Sequence, residues 1–488
     1  MTDSDKLFPI DLTDFEYYTY VDDTPDHPMV MILRIHLEGS VDITAFSASL
    51  QTAVDHHPLL RSVISRSGRK LSWEIAESHE PSLTVSRFDD DSPPLDCPVI
   101  RFELTKEAGA RFELRVCPNR SVLIAYFHHA CVDGVGAIRF MADVFAEYGN
   151  LTAADDTERP ELTRPDPDVL ALRGACPELS YEAGNGKPWK EWLRGPSRFL
   201  LGRNYKIIGR PDQRERKSSP ANVLHTSVFP RATVRRLRKL ATARQVSTND
   251  ICMMVYLQQL AQWTQQHPRA RDRDLFRVLM PVSMRTADHD RISAANVLSY
   301  VFQPFYRRDC RNAEALLSTI HRRTTEMIHG NEGTVLLKLF GLVRRVPGLL
   351  RISKWLQPSF ATAVLANVGD LKRIFANRFP MKKGRVVAGN VVIQRIDGIA
   401  PLRKNTNVAI SFGAYGGELI LNLRADPSAF SEAEAVEFLR EVTERLTNIA
   451  DSQTLIRETS DDRIPGSSER HLVVQGEPEM FSDDGALR

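Results

Sequence analysis

Long apolar runs are missing from this 488-residue sequence. None approaches the roughly 18 residues that suggest a membrane span. The start carries Asp3, Asp5, Asp11 and Asp14 instead of the apolar stretch of a secretion signal. Both absences lead us to expect a cytoplasmic protein. Cysteine is sparse and scattered. Cys97, Cys117, Cys131, Cys176, Cys252 and Cys310 form no CxxC pair and no zinc-like spacing, so reduced thiols are expected. A charge excess is missing too: the formal net charge of +2 gives no reason to expect a nucleic-acid partner. There is no HExxH and no GxSxG, and Gly134-Val135-Gly136 lacks the third glycine of a dinucleotide fingerprint because Arg139 stands there. No metal site is expected.

What is present is an ordinary globular composition, 42% hydrophobic and 26% charged, over a length that suggests two or more domains. Within it lies His128-His129-Ala130-Cys131-Val132-Asp133-Gly134. The preceding 122–127 segment, VLIAYF, reads as a buried strand, and the following residues open a helical pattern with Ile138, Met141, Ala142 and Phe145 on one face. Two histidines and an aspartate therefore sit at a strand-to-helix turn, where rigid elements on both sides can hold chemistry in place.

Around the motif the pattern is strand-rich α/β. Strands are expected at 29–37, 59–64, 100–103, 111–116 and 121–127, with a helix after Asp42 that Pro58 stops. Residues 187–217 hold ten Lys/Arg against three acids and read as a crossover. Strand character resumes at 223–229, and Ser247 with Asp250 makes a capping box ahead of an apolar helix. Strands follow at 275–280, 297–302 and 386–396. Tyr415-Gly416-Gly417 marks a hairpin, and Ser431 with Glu434 caps a last helix. The 335–356 stretch is mostly apolar, carries basic but no acidic residues, and is split by Pro347. We expect two short helices that pack on the sheet, line an apolar entrance or touch a membrane surface weakly. The expected organisation is a first lobe at 1–185, a linker at 186–217, a second lobe at 218–452 and a flexible tail at 453–488.

Adjacent residues on a strand face opposite ways. His128 and His129 are therefore poorly placed to chelate one metal; one should face the reaction and the other should be held inside. A neutral imidazole is a good general base near pH 7. Asp133 could orient an imidazole or pair with an arginine, and Gly134 and Gly136 give the turn backbone freedom. A Cys131–His129 nucleophile pair shares a strand face, but a buried cysteine is the commoner outcome. Two purely structural histidines are the plain alternative.

The heptapeptide HHxxxDG, so placed, resembles the signature of the CoA- and carrier-protein-dependent acyltransferases. These include chloramphenicol acetyltransferase, plant BAHD enzymes, nonribosomal peptide condensation domains, polyketide-associated acyltransferases and wax ester synthases. His57-Pro58-Leu59-Leu60-Arg61 is similar to their H-P-x-L-R segment, Ser247 to Leu257 to a T-x-N-D-x-L helix start, and Pro281 to Arg285 to P-V-x-x-R. Asn367-Val368-Gly369 is similar to N-V-x-G, with Asp370 as a departure, and the plant DFGWG segment is absent.

The resemblance spans roughly residues 10–450. It implies an α/β fold of two chloramphenicol acetyltransferase-like lobes, each a mixed sheet with flanking helices, and an active-site tunnel at their interface. A strand and loop of the second lobe would cross back onto the first. It further implies a freestanding O- or N-acyltransferase that moves an acyl group from acyl-CoA or an acyl carrier protein to an alcohol or amine. His129 would be the general base, with no covalent intermediate. His128, Asp133 and Gly134 would support the motif, and Asp133 would pair with Arg285. Ser411 and Asn367 are the candidates for binding substrate or oxyanion. No permanently bound cofactor is implied; acyl-CoA or acyl-phosphopantetheine would be a co-substrate. The alternative is a condensation-like protein that binds a carrier protein, or acts otherwise on a tethered intermediate, without transfer.

Overall fold

The structure is a computed structural model that describes residues 6–77, 80–154, 158–174, 223–266, 270–330, 332–345, 360–375 and 377–452. The linker at 186–217, the 346–356 part of the apolar basic stretch and the tail at 453–488 lie outside these described residues.

Two large sheets, each flanked by helices, organise the described chain. The first has seven strands in the order Met381–Lys382, Arg385–Ala388, Val391–Ile399, Val30–Glu38, Arg120–His128, Ala110–Val116 and Ser82–Arg87. The second has six: Leu298–Tyr306, Leu275–Ser283, Ala363–Asp370, Val408–Tyr415, Glu418–Ala425 and His225–Phe229. Both sheets mix parallel and antiparallel pairs. The chain is therefore α/β with two sheet-and-helix lobes. The lobes do not follow a simple cut in sequence. Strand Val391–Ile399, inside the range assigned to the second lobe, pairs antiparallel with Val30–Glu38 of the first.

The motif strand is buried from Ser121 to His128, because it is central in its sheet and covered on both faces. The helix Gly134–Thr152 then lays Phe140, Met141 and Phe145 into the first core, where all three are buried. Each such side chain contributes about 1.5–3 kcal/mol by leaving water. Capping follows the sequence signals: Asp42 caps Ile43–His56, Ser247 caps Thr248–Gln265, and Ser431 caps Glu432–Asp451. The hairpin at Tyr415 turns through Gly416 and Gly417, both with positive φ, which glycine adopts without a Cβ clash.

Several local expectations need correction. Pro58–Arg61 is a 3-10 turn and the strand starts only at Ser62, because the proline directs the chain into a tight turn first. No strand forms at 100–103, where the chain runs as a loop. Helix Asp14–Asp22, opened by a capping box from Thr13 and Glu16, had no apolar stripe to announce it. Helix Glu332–Arg345 packs on it: Tyr18 stacks on Phe340 at 4.3 Å and Arg344 binds Asp14 at 3.1 Å. No helix among the described residues is long and apolar enough to cross a membrane.

Candidate active site

The turn after strand Arg120–His128 separates the two histidines. His128 is inside the first lobe, 1% exposed; its Nδ1 accepts from the Ala130 N–H at 3.1 Å and its Nε2 lies 3.5 Å from Asp23. Burial pushes the Asp23 carboxyl up, but hydrogen bonds from His128 and the Met29 N–H overcome this and hold it below its usual range. His129 extends the ladder by donating its backbone N–H to the Met29 carbonyl at 2.7 Å, and it lines a solvent-open cleft whose empty space is about 950 Å³. Phe15 meets its ring edge-on at 5.7 Å.

The hydrogen bonding of His129 decides its tautomer. Nδ1 lies 3.1 Å from the Val132 carbonyl. A carbonyl only accepts, so the hydrogen sits on Nδ1 and Nε2 keeps its lone pair. Burial lowers the imidazole pKa below its ordinary value, against the pull of the Asp133 charge and of the Val132 carbonyl. The ring is thus held neutral, as a base must be before it takes a proton.

Asp133 is 1% exposed and fully engaged. Its two oxygens take Arg285 in a bidentate pair at 2.8 and 2.9 Å. Oδ1 also caps the next helix through the Gly136 N–H at 2.8 Å, and Oδ2 accepts from the Val297 N–H at 2.8 Å. Burial alone would raise this carboxyl; Arg285 and the two N–H groups reverse that and lower it. Of the two roles open to Asp133, its oxygens are committed to the arginine. The glycines act through space rather than through unusual backbone angles, for neither Gly134 nor Gly136 has a positive φ. A Cβ on Gly136 would come within 2.8 Å of Val132 and 2.9 Å of the Ala295 carbonyl. One on Gly134 would stand in the cleft, 4.0 Å from Val368.

The cleft lies between the two sheets. Met31, Leu33 and Ile138 line it from the first lobe, and Leu298, Val368 and Ile420 from the second. Asn367 and Ser411 also line it. Asn367 turns its Oδ1 to the Gly369 N–H at 2.8 Å, and the Ser411 hydroxyl donates to the Gly398 carbonyl. Cys131 sits within the motif, fully buried, and burial pushes its thiol pKa far up, so it is no thiolate nucleophile. Among the described residues no group of three or more His, Cys, Asp or Glu is placed to hold a metal.

Two polar residues at the site had escaped the sequence reading. Asn296 donates to the His129 carbonyl at 2.9 Å and the Ala130 carbonyl at 2.8 Å, holding the motif turn from the other lobe. His57, read only as part of a family segment, accepts from the Ala294 N–H at 2.8 Å and contacts Asp143 at 3.0 Å, and so anchors the loop that carries Asn296. Both act across more than 160 residues of sequence, where no local periodicity reports them.

The site is thus a histidine-bearing turn at a cleft between two mixed sheets, and comparison with known proteins identifies the family. The family profile described as condensation domain matches residues 23–271. The chain belongs to the condensation-domain family. A Mycobacterium tuberculosis protein described as uncharacterized is 26% identical over 309 residues, covering 59% of this chain and 65% of that relative. The match therefore spans less than two thirds of the relative's length. Among solved structures, the trichothecene 15-O-acetyltransferase of Fusarium sporotrichioides is similar with a TM-score of 0.63 at 11% identity, covering 90% of this chain and 94% of that one. The starter condensation domain of rhizomide synthetase, solved as a point mutant in complex with C8-CoA, gives 0.62 at 15% identity, covering 93% and 98%. At these identities the structures speak for the fold.

Proposed function

We propose that this protein moves an acyl group from a thioester, acyl-CoA or an acyl carrier protein, to an alcohol or amine acceptor. The observation that carries the proposal is the His129 tautomer. With Nδ1 bound to the Val132 carbonyl, Nε2 has no protein partner among the described residues, and His129 is one of the residues that line the cleft. The acceptor O–H or N–H gives its proton to Nε2 as its heteroatom bonds to the thioester carbon. The tetrahedral intermediate then breaks its C–S bond, and the leaving thiolate takes the proton back from the imidazolium. Both substrates meet at one imidazole, so no acyl-enzyme forms. Asp133 and Arg285 hold the turn and take no proton. The reaction needs no permanently bound cofactor. A tunnel that admits donor and acceptor from opposite faces is part of this proposal, as is a cytoplasmic location.

Two features support an apolar acyl group: the apolar lining of the cleft and the presence of C8-CoA in one similar structure. The test is thiol release from octanoyl-CoA in the presence of a panel of alcohols and amines. His129→Ala is expected to lose roughly 10²–10⁴-fold in kcat, the usual contribution of a positioned base, with an unchanged circular dichroism spectrum. Most of the activity surviving in that variant would rule out His129 as the base. Turnover only with a loaded carrier protein would move the donor assignment. Carrier binding without any transfer would favour the non-transferring reading.

A further inference from the structure

Three side chains face the first lobe in one row across the second sheet. Asn422 on strand Glu418–Ala425 pairs directly with Ser411 on one side and with Thr226 on the other. Cross-strand partners present their side chains to the same face, so the row is continuous. Its two outer members are tied to the first lobe. The Ser411 hydroxyl donates to the Gly398 carbonyl, and Thr226 Oγ1 accepts from Arg34 Nη2 at 3.0 Å. Arg34 is itself fixed, with its Nε on Asp397 at 2.9 Å and Nη1 on the Leu95 carbonyl at 2.5 Å.

This arrangement settles which way the Asn422 amide points. Arg34 donates to the Thr226 oxygen, so the Thr226 proton is directed elsewhere, and it goes to Asn422 Oδ1 at 3.0 Å. An amide with its oxygen held on one side presents its NH₂ to the other. Asn422 is 4% exposed, lines the same cleft as His129, and its Nδ2 has no partner among the described residues. An amide N–H pair at the cleft with no protein acceptor among the described residues is free to donate to whatever enters. The two polar side chains first considered for the role are differently disposed: the Ser411 proton is taken by Gly398, and Asn367 turns its oxygen into its own loop.

We infer that Asn422 donates a hydrogen bond to the carbonyl oxygen of the acyl thioester, and that the Arg34–Thr226 relay aims it. The inference rests on the acyl-transfer reading of the site. Asn422 is the residue that touches substrate. Thr226 and Arg34 are positioning residues. A fixed donor aimed at the carbonyl oxygen gains strength as negative charge develops there, which lowers the barrier for attack.

The test uses octanoyl-CoA carrying a ¹³C-labelled thioester carbonyl, bound to the full-length His129→Ala protein so that it does not turn over, and reads the carbonyl stretch by difference infrared spectroscopy. The bound band is expected at lower frequency than in water-free solvent. Adding Asn422→Asp, nearly the same shape but with no N–H, removes that shift. Adding Thr226→Val weakens it, and Thr226→Ser restores it. In the otherwise native protein, Asn422→Asp is expected to lower kcat by roughly 10²–10³-fold, the range for one such donor. Thr226→Val costs roughly 2- to 10-fold, the equivalent of one ordinary hydrogen bond, chiefly in kcat rather than KM. A carbonyl band unmoved by Asn422→Asp while the ligand stays bound would overturn the inference and leave His129 untouched. Full turnover by His129→Ala alone would overturn the base assignment instead. No bound carbonyl band with either octanoyl-CoA or an octanoyl-loaded carrier protein would overturn both.

Discussion

The two walls of the cleft are held by different means. On one wall the motif turn is braced by charge: Asp133 and Arg285 form a buried bidentate pair between the lobes, and two backbone N–H groups complete the carboxylate. On the other wall a strand face is oriented by neutral bonds, Thr226 to Asn422 and Ser411 to Gly398, with charge one step behind at Arg34 and Asp397. The difference follows from what each wall must present. A turn has no ladder of its own and needs a strong local tie. A sheet face already has its backbone fixed, and only side-chain direction remains to be set. Charge next to a base also shifts its pKa, so Asp133 compensated by Arg285 disturbs His129 less than a bare carboxylate would.

Removing the charged tie should have the largest effect. Asp133→Ala strands Arg285 in the interface with its carboxylate gone and uncaps a helix. We expect a loss of about 3–5 kcal/mol, read from the denaturant midpoint, together with a fall in rate. An unchanged midpoint would mean that the pair does not brace the fold. Asn296→Ala comes next. It leaves the His129 and Ala130 carbonyls without a donor, at about 1–3 kcal/mol, and a rate loss larger than the stability loss would show that it positions the base. The third test is pH. Because burial lowers the His129 pKa, the neutral base survives below the ordinary imidazole range, and the acid limb of kcat/KM should lie below pH 6.5, the usual histidine value. By linkage the unfolded chain takes up a proton near that ordinary value while native His129 does not, so this residue makes stability fall as pH drops through and below it. His129→Ala should remove that part of the slope. The smallest effect is expected on the neutral wall: Ser411→Ala removes one interlobe hydrogen bond, about 1 kcal/mol, and changes kcat only a few-fold. A thousand-fold loss would restore Ser411 as the oxyanion donor in place of Asn422.

Much of the charged wall could be read from the sequence. The spacing of His128, His129 and Asp133, the apolar run before them and the helical pattern after them fixed strand, turn and helix in register. The resemblance supplied Arg285, which the structure brings onto Asp133. Little of the neutral wall could be read in that way. Thr226, Asn422 and Arg34 sit in strands whose patterns signal only that one face is buried, and their meeting depends on the register of two separate sheets. Asn296 was hidden for the same reason: its amide matters only because the Ala294–Val297 loop folds over a turn more than 160 residues earlier. The 3-10 turn at Pro58–Arg61 was missed on other grounds, since an apolar LL pair after proline suits a strand equally well.

The interlobe strand Val391–Ile399 also sets a clock for synthesis. Strand Val30–Glu38 has Arg120–His128 on one side, but its other edge waits for residues that follow His128 by 263 positions (391 − 128). At roughly 5–20 residues per second on the ribosome, that edge is uncovered for on the order of 10–50 s. It is an apolar edge, VMILRIHLE, of the kind that pairs with other chains. The nascent protein is therefore most exposed to aggregation between the making of His129 and the arrival of the strand that pairs with that edge.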